Sequence, residues 1–340
     1  MNPRRWTLVA VMAASMLAAG ILMAQGPKKD VGTKVPLPDA PQNGDAPRAL
    51  SIDVDLVALD VVVTDKNNNP VSGLEKEHFK VLEDGVEQTI TNFAPGDAPL
   101  TVVIVVEFGQ TWGYFVDDVV GPAAGFVNSL REDDWGALVA YDIRPEILTD
   151  FTKNKAQLFA GLKRLQIPVY RETALYDALY DTLERLDNVD GKKAIFLLST
   201  GHDTISKHTF GETLKKTEST DTMIYAVSMG QLFRTIYDGR FDPIDQITLL
   251  QADNTLRSFA EASGGVAFFP RFVSEYPSIY ETVSIHLRNQ YNLGFAPKNL
   301  KKDGKFRKIK VEVAKLDVNK DGKLDDLKVR HKKGYYAPKS

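Results

Sequence analysis

Along this chain the spacing of hydrophobic residues changes twice, and each change predicts a change of architecture. From residue 51 to 93 apolar and polar positions largely alternate, the two-residue period of half-buried strands. Ile52, Val54, Leu56 and Val57 open a strand that continues through Leu59-Asp-Val-Val-Val63. Asp65-Lys-Asn-Asn-Asn-Pro70 reads as a turn, since Asn, Asp and Pro favour turn conformations. A strand is predicted over 79–82 and a returning one over 88–93, joined at Glu83-Asp-Gly85, where Asp-Gly suits the positive φ of a tight hairpin.

From Leu100 the pattern turns to alternating strands and helices. Strands are predicted at 100–106, 136–141, 194–198, 223–228 and 266–269, and helices at 115–130, 155–165, 174–186, 210–218, 255–262 and 276–288. The helix signal is clear at Ala174, Leu175, Ala178, Leu179, Leu183 and Leu186, whose spacing puts them on one face. Such alternation predicts a doubly wound, mostly parallel sheet. Strand patterns return at 291–295, 308–313, 327–330 and 334–338. The economical α/β architecture therefore has one small β-sandwich built from both ends, 51–98 and 290–340, with the α/β domain, 99–289, inserted in it.

Composition narrows the class. The chain has 340 residues, 43% of them hydrophobic, and a formal net charge of −3. That length allows about two domains. The balanced charge argues against nucleic acid as a partner, which usually needs a concentrated basic face. Lys301-Lys-Asp-Gly-Lys-Phe-Arg-Lys308 and Arg330-His-Lys-Lys333 are basic locally and read as solvated hairpin faces. There is no cysteine, which excludes disulfides, thiol catalysis and zinc–thiolate centres. Arg4 and Arg5 precede an apolar stretch from Trp6 to Ala24, the plan of a secretory signal. An uncleaved anchor over 1–24 is the alternative, and the only membrane contact expected. Residues 25–50 are rich in Pro, Gly, Asp and Lys and read as a flexible linker. The expected location is the periplasm, the cell surface or the medium.

The strand that begins at Leu100 stops at Glu107, and Phe-Gly-Gln-Thr111-Trp-Gly113 follows. Ligands of open α/β sheets bind beyond the carboxyl ends of the strands, so this turn sits where a site belongs. Six further segments stand in order: Val61-Val-Val-Thr-Asp with Pro70-Val-Ser-Gly73, Phe79-Lys-Val-Leu-Glu-Asp-Gly85, Thr173-Ala-Leu-Tyr-Asp177, Phe196-Leu-Leu-Ser-Thr-Gly-His-Asp-Thr204, Tyr291-Asn-Leu-Gly-Phe295 and Lys333-Gly-Tyr-Tyr-Ala-Pro338. Together they resemble the von Willebrand factor type A (VWFA) domain, and more narrowly the exported acidobacterial VWFA-related proteins.

The resemblance implies a metal-ion-dependent adhesion site made of Asp-x-Ser-x-Ser, a loop Thr and a later Asp, usually filled by magnesium and completed by a partner's acidic group. Here that pattern is eroded. Glu107 stands for the Asp, Gly109 for the first Ser, Thr111 for the second, Thr173 for the loop Thr and Thr200 for the later Asp, with Asp203 three residues on. Magnesium requires near-octahedral oxygens at about 2.0–2.1 Å, and one carboxylate with two hydroxyls makes a poor cage, so magnesium is not expected. Thr111 and Thr173 read otherwise as helix-capping hydroxyls. Glu107, Thr111, Trp112, Thr173, Thr200 and Asp203 are the expected ligand-binding face.

A second candidate is independent of the resemblance. Asp317, Asn319, Asp321, Lys323, Asp325 and Asp326 fall in Asp-Val-Asn-Lys-Asp-Gly-Lys-Leu-Asp-Asp. Oxygen ligands at positions one, three and five, with Gly at six, match the first half of a calcium loop. The bidentate Glu of position twelve is Lys328, so Asp325 or Asp326 would have to compensate. The same residues also make a polar hairpin turn.

Catalysis finds little support. There is no Gly-x-Ser-x-Gly, P-loop or dinucleotide fingerprint. His202, Asp203 and His208 share one loop, but their spacing does not specify a zinc site. The first expectation is an exported, non-enzymatic protein-binding or adhesion-type module, its contact largely metal-independent, for a protein or cell-envelope partner. A self-associating structural envelope component and a hydrolase using His202 and Asp203 are the alternatives.

Overall fold

The computed structural model describes residues 56–96, 99–109, 116–166, 170–236, 243–316 and 325–339. The expected signal or anchor, the 25–50 linker, Thr111, Trp112 and the calcium-loop residues Asp317, Asn319, Asp321 and Lys323 lie outside them. In chain order the strands and helices are β1 (Val57–Thr64), β2 (Phe79–Glu83), β3 (Val86–Gln88), β4 (Ile90–Gly96), β5 (Leu100–Glu107), α1 (Val116–Ser129), β6 (Trp135–Tyr141), β7 (Pro145–Thr152), α2 (Lys155–Leu162), α3 (Leu175–Leu186), β8 (Lys192–Ser199), α4 (Phe210–Ser219), β9 (Met223–Ser228), α5 (Gly230–Ile236), α6 (Pro243–Ser263), β10 (Ala267–Phe268), α7 (Tyr276–Arg288), β11 (Gln290–Phe295), β12 (Phe306–Val313), β13 (Lys328–Arg330) and β14 (Gly334–Tyr336).

The middle of the chain forms a six-stranded sheet in the order β10-β9-β8-β5-β6-β7. Every pair in it is parallel except β6–β7. All eight residues of β5 and of β8 are buried, as expected of strands covered by helices on both faces. One face packs Val102, Ile104 and Val106 against α1, α2 and α7. The other packs Val103 and Val105 against α3 and α6. Numbered within this domain the strands run 6-5-4-1-2-3, so the order reverses between β5 and β8. That reversal is the topological switch point at which doubly wound sheets bind ligands.

Both ends of the chain supply the two antiparallel sheets, β13-β1-β11-β4 and β14-β12-β2-β3. Leu59 and Val61 of β1, Val81 of β2, Leu293 of β11 and Val311 of β12 share one core between them. This is the expected sandwich with an α/β domain inserted. Gly96 at the end of β4 pairs with Gln290 at the start of β11, so the chain leaves for the α/β domain and returns from it at the same end of that sheet.

Four elements differ from the sequence expectation, one of them helix α5, which the apolar spacing does not predict. The single returning strand is two: β3 pairs with β2, then the chain crosses at Thr89 and β4 pairs with β11 in the other sheet. Strand β7 is an antiparallel edge strand with three exposed positions and no buried one, so it lacks the alternation that marks a half-buried strand. Helix α6 is 21 residues long and begins well before 255. Its first half carries Ile244, Ile247 and Leu250 exposed to solvent, which breaks the usual link between apolar spacing and burial.

Candidate functional site

Glu107 ends β5 beside the switch point and is 1% exposed. Its carboxylate is held from the neighbouring strand β8 and the turn beyond it. The Thr200 backbone N–H donates to Oε2 at 2.7 Å, and the Thr200 hydroxyl lies 2.8 Å from Oε1 and 2.9 Å from Oε2. The Ser199 hydroxyl donates to Oε2 at 2.9 Å. Tyr141, the last residue of β6, donates to Ser199 Oγ at 2.8 Å and stands 3.2 Å from Glu107 Oε2. Gly201 N–H donates to Ser199 Oγ at 2.8 Å, which completes a closed network across β5, β6 and β8. Burial raises the Glu107 carboxyl above its ordinary value, while the Thr200 and Ser199 bonds favour the ionised form and work against that rise. Burial and then the Glu107 charge push the Tyr141 phenol well up, so it stays a donor.

The turn that makes this possible depends on Gly201. Its φ is +86°, and a Cβ there would lie 2.3 Å from the Ala252 carbonyl oxygen of α6. Only glycine fits that approach.

The remaining predicted residues serve the loops. Thr173, also buried, donates from its hydroxyl to the His202 carbonyl at 2.8 Å. Its N–H donates to Thr204 Oγ1 at 2.8 Å, and Thr204 N–H returns a bond to the Thr173 carbonyl at 2.8 Å. Asp203 faces the start of α3: its Oδ1 accepts the Tyr176 N–H at 3.0 Å and the Ser206 hydroxyl. It acts as a helix cap in trans, with the charge preferred at a helix N-terminus. His208 is tied to Asp177 at 2.8 Å and stacks on Tyr180 at 3.9 Å between ring centroids. So Glu107 and Thr200 are brought together, Thr173 joins their loop through a backbone carbonyl, and Asp203 points to a different task. Sequence reading missed Tyr141 and Ser199 as partners of Glu107. The signal was a polar group at the same level of adjacent strands, which is legible only once the strand order is known.

At the second candidate, a bridge between Leu316 and Asp325 closes the loop. Asp326 lies 3.0 Å from Lys315 Nζ. Among the described residues no three His, Asp or Glu side chains converge as metal ligands would.

No family model matches this chain, and no curated protein sequence matches it. Solved structures do. A von Willebrand factor type A protein from Catenulispora acidiphila has a TM-score of 0.45 at 11% identity, over 84% of this chain and 76% of that one. An aerotolerance-related membrane protein from Bacteroides fragilis has 0.44 at 12%, over 55% of this chain and 98% of that one. The vWF domain of the type V pili tip protein Mfa5 from Porphyromonas gingivalis has 0.43 at 14%, over 56% and 95%. Likeness at this level carries no argument about activity or partner. On its own sheet order, with one antiparallel edge strand and its acidic residue at the switch point, the α/β domain of this chain is VWFA-like in fold.

Proposed function

We propose that this chain is an exported, non-enzymatic binding module. It offers the loops beyond its α/β sheet (107–112, 171–173 and 200–204) to a protein or cell-envelope partner, without a bridging metal. The observation that carries this is the capture of Glu107. A metal-dependent contact needs a carboxylate open to the ion, and both Glu107 oxygens are engaged by Thr200 and Ser199 inside the protein. Gly109 offers no side-chain oxygen, and Asp203 is committed to α3. This donor set does not fit magnesium.

What the crown does offer is apolar. Tyr170 and Ile205 are about half exposed on loops joined through Thr173 and Thr204. Ile244, Ile247 and Leu250 are exposed on the α6 turns that precede Ala252, the residue packed on Gly201. Aromatic and aliphatic anchors of this kind carry most protein–protein contact energy. The test is capture from envelope extract on the immobilised full chain, with and without chelator, beside a Tyr170→Ser/Ile205→Ser variant. The same protein should bind in both conditions and be lost from the variant. Capture that chelator abolishes, or that the variant retains, contradicts the reading.

Calcium at the loop of Asp317, Asn319, Asp321 and Lys323 is a separate proposal, supported by the oxygen spacing alone. It would stiffen the hairpin that Leu316 and Asp325 close. Calcium added after chelation should raise the melting temperature; an unchanged value means the loop is only a turn.

A further inference from the structure

The far end of the sandwich has a chemistry of its own. In the sheet of β1, β4 and β11, Gly96 and Gln290 mark the end joined to the α/β domain, while Val57, Ile90 and Phe295 mark the opposite end. Three segments at this end carry an exposed hydrophobic: Leu56 at 49%, Val86 at 55% and Leu300 at 69%. They sit among cations. Residues 298–308 hold Lys298, Lys301, Lys302, Lys305, Arg307 and Lys308 against Asp303 alone. Among the described residues the acids of the adjoining hairpin are engaged: Glu83 by buried Arg307 at 3.1 Å, Glu87 by Lys80 at 2.9 Å, and Asp84 by the Lys308 N–H at 2.9 Å; Asp53 and Asp55, just before Leu56, lie outside the described residues.

The loop is held, not loose. Arg307 is 2% exposed, and its guanidinium donates to the carbonyls of Asn299 and Lys301, each at 2.6 Å. Those two carbonyls flank Leu300, so the leucine is fixed outward. On the other side Gly304, at φ +66°, donates its N–H to the Pro338 carbonyl at 3.2 Å. Lys298 Nζ reaches the Glu87 carbonyl at 2.7 Å, which ties the loop to the β2–β3 hairpin beside Val86. A rigid apolar tip ringed by lysines has no use in water. It matches a lipid surface, where a side chain enters the acyl boundary and ammonium groups meet anionic headgroups. The chain enters the sandwich at this same end, since Leu56 precedes Val57 and a Gly294 Cβ would lie 3.4 Å from Leu56 Cδ2. The apolar stretch from Trp6 to Ala24 lies upstream of that entry point.

We infer that this end of the sandwich is a peripheral docking face for an anionic lipid membrane, with Leu300 as its inserting tip and Lys298, Lys301 and Lys305 as its headgroup contacts. It is a different face from the crown and stands without the binding role proposed there.

The test is sedimentation of the full chain with vesicles of phosphatidylcholine alone or mixed with phosphatidylglycerol. An N-terminal apolar stretch would bind both alike, so the ratio between the two vesicles is the readout. The chain should prefer the anionic vesicles, and the preference should fall as salt shortens the screening length from about 10 Å at 0.1 M to about 3 Å at 1 M. Lys298→Gln/Lys301→Gln/Lys305→Gln should cut the preference about tenfold to a hundredfold. Leu300→Ser should weaken anionic-vesicle binding by about tenfold, while leaving binding to soluble polyphosphate unchanged. Lys298 also ties the loop to the hairpin, so Leu300→Ser and a Lys301→Gln/Lys305→Gln variant, whose side chains are exposed, are the ones that should melt with the parent. Equal sedimentation with both vesicles, or an unaffected lysine variant, overturns the inference. Leu300→Ser binding vesicles as the parent does also overturns it, in favour of a soluble polyanion.

Discussion

Glu107 shows how one residue can keep a position and change its task. A carboxylate buried at 1% exposure is costly unless its oxygens are bonded, and here Thr200, Ser199 and Tyr141 supply the bonds that a cation would otherwise supply. Glu107→Ala leaves the Thr200 N–H and two hydroxyls buried without an acceptor. At about 1–3 kcal/mol for each such group, partly offset by removing a buried charge, the variant should lose about 3 kcal/mol in urea unfolding. Glu107→Gln should lose less and change the pH dependence. The folded carboxyl titrates above its ordinary value of 4.5. Its stabilising contribution is therefore fully present below pH 4.5 and is lost as pH rises through the folded value. The gap between parent and Gln variant should be widest in acid and shrink upward. An equal gap at all pH values would mean the carboxyl is not perturbed. The position of Glu107 was legible because an apolar strand ended on it. Its partners were not, because Tyr141 and Ser199 stand 34 and 92 residues from Glu107 along the chain.

Elements were read best where burial is complete and worst where it is shared. Strand β9 and helix α7 match their expected spans, since each has one dominant environment. Helix α6 was cut short because its first turns expose Ile244, Ile247 and Leu250 beside the crown, a departure that coincides with the proposed contact face. Strand β7 was missed because an edge strand need not alternate. The switch of β4 between sheets was missed because nothing local distinguishes one continuing strand from two. The β8–crown turn supplies the prediction at this scale. Gly201→Ala places a Cβ 2.3 Å from the Ala252 carbonyl at a φ of +86°. It should cost more than about 2 kcal/mol and disturb Thr200 and Glu107 together. A variant as stable as the parent would mean that α6 yields easily there and that the crown is not rigid.

For the whole molecule, the decisive relation is how the sandwich meets the α/β domain. The ion pair of Lys333 with Glu261 and the Tyr336 hydroxyl on Glu218, each at 2.9 Å, cross this seam. His286 lies in it, 2% exposed, near Tyr225 and Arg330, with neither ring nitrogen hydrogen-bonded. Burial, and then the Arg330 charge, lower its pKa from 6.5 to about 4. Its contribution to stability is present above pH 6.5 and is lost as pH falls toward 4, by up to about 3 kcal/mol. His286→Phe should flatten that acid limb; a limb of unchanged slope would place the acid-labile group elsewhere. That both ends of the chain would close one sandwich was legible from their shared strand pattern. The seam was not, because its polar residues carry no local signature.

The acidic residue of this VWFA-like crown is satisfied from within the protein. The most direct test is a calorimetric titration of the chelator-treated full chain with magnesium. No binding heat and an unchanged melting temperature are expected. Saturable heat that Glu107→Gln abolishes would show that the carboxylate opens to a cation, and would contradict the metal-free contact proposed for this face.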